Sequence, residues 1–164
     1  MHREDVDQSR GVNELEPEAL FCIAVLRTWV AERRPAGAAS LDWREVCRQG
    51  ELPENAVQAF DAFFSAVHHA MQRPLDIRCC QCPQLGVDED DLLVLLHALQ
   101  QGDVLSALVV LTDWLVKPAV MPTLQLATGL AAAARSCGLC FHSHAVTRAH
   151  SDTRSSRVER ATLH

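Results

Sequence analysis

Residues 88–117, DEDDLLVLLHALQQGDVLSALVVLTDWLVK, constrain the fold more than any other part of the chain. Leu92, Leu95, Leu96 and Leu99 fall at i, i+3, i+4 and i+7, which is one face of a helix. Asp88 has the short carboxylate of an N-cap, and Asp91 stands three residues on, where a carboxylate can reach back. The acidic run Asp88 to Asp91 suits the positive end of a helix dipole. Gly102 can take the left-handed conformation that ends such a helix, and Asp103 can cap the next one at once. The second stripe reads Val104, Ala107, Leu108, Leu111 and Leu115. So short a connection lays the two helices side by side and antiparallel.

The remaining chain reads the same way. Pro17 sits in the first turn of a helix that runs to about Arg34, with Phe21, Val25 and Trp29 at i+4 spacing. Ser40 is placed to cap a short helix ending at Gly50. Pro53 opens a longer one to about Gln72, whose face holds Ala56, Phe60, Phe63, Phe64 and Val67. A last helix runs from Pro118 or Pro122 to Ser136. There Leu126, Leu130 and Ala133 form the stripe, and Gly129 with the alanines allows close packing. Aromatic residues are only 5% of the chain and Tyr is absent, so the core must come from Leu, Val and Ala. That favours packed helices over sheet.

The expected fold is therefore all-α: one domain, a bundle of five or six helices around a central antiparallel hairpin, with disordered ends. Its 164 residues are enough for one full core. The expected division is a disordered N-terminus over 1–12, a helical domain over 13–144 and a disordered, mildly basic tail over 145–164.

Charge narrows the function. The net charge is −6, and residues 1–20 hold six acids against two bases. A nucleic-acid binder usually shows a basic face, so nucleic acid is an unfavoured partner. Residues 41–72 could be read as a helix-turn-helix of a transcription regulator. The second of those helices lacks Arg and Lys until Arg73, and so lacks donors for phosphates and guanine edges. The apolar stretch 104–116 is too short to span a membrane. The start, MHREDVDQSR, has no apolar run like that of a secretory leader. A cytoplasmic location with reduced thiols is expected.

The densest chemistry is in the seven cysteines. Cys22 and Cys47 lie in apolar runs and read as small buried hydrophobes. Cys79, Cys80 and Cys82 share one loop, 74–87, from which Pro74 and Pro83 keep helix out. Two CxxC pairs exist, Cys79–Cys82 and Cys137–Cys140, with His142 and His144 beside the second. Two such pairs can make a tetrahedral sulfur site, so Cys79, Cys82, Cys137, Cys140 and His142 are the candidate ligands of a structural zinc. Topology opposes this. Three antiparallel helices separate the pairs, which puts them at opposite ends of a bundle. His68 and His69 are adjacent and cannot share one metal from a regular helix. A thiol oxidoreductase reading is weaker, because neither pair sits at a helix N-terminus.

These residues point to a small cytosolic, non-enzymatic protein of regulatory or adaptor type. Zinc is its candidate cofactor and another protein its expected partner. The alternative is a metal- or thiol-dependent enzyme built on the Cys/His cluster.

Overall fold

The computed structural model describes residues 10–34 and 41–142. Six α-helices follow one another there: α1 (Pro17–Arg33), α2 (Trp43–Gln49), α3 (Glu54–Ala70), α4 (Val87–Gln100), α5 (Val104–Trp114) and α6 (Val120–Ser136). Among the described residues there is no strand, only two isolated bridges. The protein is an all-α bundle. No helix among the described residues is long and apolar enough to cross a membrane.

Helix α4 is the axis. Leu92, Leu95 and Leu96 are wholly enclosed and Leu93 nearly so, since α4 packs against both α5 and α6. Helix α6 also packs along α3, and α2 along α1. The α4–α5 hairpin forms as expected, and its turn is a Schellman motif. Gly102 has φ +78°, the Asp103 amide donates to Ala98 O at 2.8 Å, and Gly102 donates to Leu99 O at 3.2 Å. Asp103 then caps α5 by accepting from the Ser106 amide. Helix α6 ends in the same motif, with Gly138 at φ +89° and Leu139 donating to Ala134 O at 2.9 Å.

Several expectations need correction. Helix α4 begins at Val87, so Asp88 and Glu89 lie inside it and Asp88 is not its N-cap. Asp42, not Ser40, caps α2, and Ser40 falls outside the described residues. On α5, Val104 is exposed and Leu108 half-buried; the buried stripe is Ala107, Val110, Leu111 and Trp114. On α6 the buried face is Thr123, Leu124, Ala127, Leu130, Ala131 and Ala134, so Leu126 and Ala133 lie off it. Gly129 faces open space and takes no part in that packing. Residues 10–12 are not frayed. Val12 donates to Pro83 O and Leu85 to Arg10 O, both at 2.8 Å. The tail over 145–164 and His144 lie outside the described residues.

Candidate functional site

The acidic start of α4 organises the loop that carries the first cysteines. Glu89 is completely buried, and its carboxylate accepts from Arg27 Nε at 2.7 Å and Nη2 at 2.8 Å. It also accepts from the Gly86 amide at 2.7 Å, which ties down the first turn of α4. Arg27 reaches further. Its Nη1 donates to Cys79 O at 3.1 Å and Cys82 O at 2.7 Å, and its Nη2 to Gln84 O at 2.8 Å. The hydrogen bonds to Glu89 raise the Arg27 pKa above its ordinary value, against the opposing effect of burial.

Asp88 forms a second node. Burial alone would push its carboxyl up. Bonds from Arg73, the Asp76 amide and Trp114 outweigh that and hold it below the usual carboxylate range. Arg73 also pairs with Asp113, which links this loop to the end of α5. Asp91 behaves oppositely: burial and the neighbouring acids Asp88, Asp90 and Asp113 raise its pKa. Asp88 and Glu89 are thus tertiary anchors, beyond their favourable position at a helix start.

The two CxxC pairs are far apart. The carbonyls of Cys79 and Cys82 are held through Arg27 to Glu89, near the start of α4. The segment after Cys137 is held to the last turn of α4, where Gln100 donates to Leu139 O at 2.8 Å. Eleven residues of helix separate Glu89 from Gln100, a rise of about 16 Å. A closed zinc site needs every sulfur about 2.3 Å from one metal. The arrangement expected for Cys79, Cys82, Cys137, Cys140 and His142 is therefore not formed here. Among the described residues, no three His, Cys, Asp or Glu side chains come together to hold a metal.

Cys140 and His142 instead line a cavity of about 200 Å³ beside α4, with Asp90 and His97. His97 Nδ1 lies 2.7 Å from Phe141 O. A carbonyl only accepts, so Nδ1 carries a hydrogen and donates it. Cys22 and Cys47 are wholly buried, as expected; burial pushes the Cys22 thiol up to about 12 and the Cys47 thiol to about 11.

A larger cleft, about 270 Å³, opens between α1, α3 and the segment 74–77. Its floor is Phe63, Phe64, Val67, Leu92 and Trp114, all buried. Trp29 forms one wall and is held on several sides. It packs edge-on against Phe64 with centroids 5.6 Å apart, donates from Nε1 to Asp61 at 2.9 Å, and carries the Arg33 guanidinium 3.4 Å above its ring. Arg33, Arg34 and His68 stand at the rim. Arg33 pairs with Glu32 and Asp61. The Arg34 guanidinium donates to Ile77 O, at 3.3 Å, and has no carboxylate partner among the described residues. The cleft was not legible in the sequence. Its hint was Trp29 followed at i+4 and i+5 by Arg33 and Arg34 on a helix that is otherwise largely buried.

No family model, curated protein or solved structure matches this chain.

Proposed function

We propose that this chain is a regulatory or adaptor-type protein that acts by docking an acidic, amphipathic segment of another protein. The observation that carries this reading is the apolar cleft with Arg34 at its mouth, which has no carboxylate partner among the described residues. Sites for whole small ligands usually enclose about 300–1,000 Å³. The cleft falls just below that range, and it suits one or two anchoring side chains of a partner helix. A rigid aromatic wall and a deep apolar floor are what such anchors bury against. With Arg33 already paired to Glu32 and Asp61, Arg34 is the rim charge that favours acidic flanks.

All seven cysteines are free, which suits a reducing, cytoplasmic compartment. Docking does not need zinc. Elemental analysis of the purified chain, with thiol titration, tests that component separately.

The docking test uses two synthetic helices of about 18 residues, roughly five turns. Both carry Leu and Phe at i, i+3, i+4 and i+7; one has Glu flanks and the other Lys flanks. Tryptophan emission reports binding, since Trp29 and Trp114 both line the cleft. The Glu peptide should bind in the micromolar range, and the Lys peptide at least about tenfold more weakly. Leu75→Asp, on the segment that lines the cleft beside α1 and α3, should abolish binding, and Arg34→Glu should reverse the preference between peptides. Equal binding of both peptides, or no effect of Leu75→Asp, would overturn the reading.

A further inference from the structure

The loop that Arg27 holds places two cysteines at the ends of one tight turn. Cys80 and Gln81 form the centre of a turn, and the Cys82 amide donates to Cys79 O at 3.1 Å. A turn closed in this way keeps its first and last Cα atoms within about 7 Å. Disulfides bridge Cα atoms roughly 4.4–6.8 Å apart. Arg27 restrains the same two residues independently, because a single nitrogen, Nη1, bonds both carbonyls. Cys79 is exposed and Cys82 half-buried, so a small disulfide in solution can reach Cys79 first. The second CxxC differs: Cys137 and Cys140 straddle a Schellman end, and Cys140 donates to Gly138 O rather than to Cys137 O.

We propose that Cys79 and Cys82 form a reversible dithiol–disulfide couple that exchanges with small disulfides of the glutathione class. The Cys79 thiolate attacks one sulfur of the disulfide. That S–S bond breaks, a mixed disulfide forms on Cys79, and the first small thiolate leaves and takes up the proton that Cys79 released. The Cys82 thiolate then attacks the Cys79 sulfur. The Cys79–Cys82 bond forms, and the second small thiolate leaves and takes up the proton from Cys82. Two protein thiols are oxidised and one small disulfide is reduced to two thiols. Cys22 and Cys47, enclosed in the core, take no part. The couple is distinct from the docking cleft and does not depend on it.

The full chain is equilibrated in glutathione buffers of graded ratio, quenched with acid, alkylated and digested with trypsin. The fragment 79–135 carries Cys79, Cys80 and Cys82 and no other cysteine. On the oxidising side it should lack two hydrogens and bear a single alkyl group, on Cys80. Cys80→Ser should keep the bond, with a midpoint changed by less than about twofold, because Cys80 supplies neither sulfur. Cys82→Ser should lose the bond and carry a glutathione adduct instead. The folded chain should hold the disulfide about tenfold more tightly than the same chain in urea, because the turn is formed in advance. Alkylation of all three cysteines at every ratio would overturn the proposal. So would a bond that uses Cys80, or equal stability in urea.

Discussion

Arg27 and Glu89 lie 62 residues apart in sequence and meet inside the bundle in a two-bond ion pair, at 2.7 and 2.8 Å. Their side chains are 4% and 0% exposed, so neither charge has recourse to water. The guanidinium makes five hydrogen bonds in all, two to the carboxylate and three to carbonyls of the cysteine loop. One residue of α1 thereby positions the start of α4 and the turn between Cys79 and Cys82.

Arg27→Met should cost about 3–5 kcal/mol, because it leaves the Glu89 charge buried without its partner. Arg27→Lys should recover little of this, since an ammonium cannot reproduce a fork that serves five acceptors. Urea denaturation monitored by far-UV circular dichroism measures both. A loss under about 1 kcal/mol for Arg27→Met would show that the pair contributes little, as is usual for exposed pairs.

Asp88 and Asp91 should respond to pH with opposite signs. The folded pKa of Asp88 is lowered, so its stabilisation is present above the unfolded value of about 3.9 and is lost as pH falls through the folded value. Asp88→Asn should therefore destabilise the protein at neutral pH, by an amount that shrinks in acid. The folded pKa of Asp91 is raised, so its charge is a penalty that appears as pH rises above about 3.9. Asp91→Asn should stabilise at neutral pH and change little below that value. Thermal melts from pH 3 to pH 8 (roughly the window spanned by these groups) distinguish the two. Parallel pH profiles for both variants would contradict the assignment.

Leu96→Ala should cost about 2–5 kcal/mol, the range for truncating a fully enclosed leucine. Leu105→Ser, on the outer face of α5 where Leu105 is 76% exposed, should stay within about 0.5 kcal/mol. Urea midpoints compare the pair directly. Equal losses would mean that the outer face of α5 is covered by another surface in solution.

The sequence by itself determined the local grammar of this protein. Periodicity placed the helices, because burial of one face repeats every turn whatever the face meets. Gly102 and Asp103 marked their turn because only certain residues accept a positive φ or cap an amide. Cys22 and Cys47 read as core for the same local reason, the apolar residues on either side of them. The tertiary structure alone decided the rest. The rotation of α6 depends on α3 and α4, and no stripe of alanines states which way it turns. Asp88 and Glu89 look like solvated capping charge until Arg73 and Arg27 arrive from elsewhere in the chain. The two CxxC pairs share a spacing, yet the length of α4 separates them. The cleft needs α1, α3 and the segment 74–77 at once. Long-range charge pairing and cavities are properties of which surfaces meet, and periodicity within one helix carries no information about its partner.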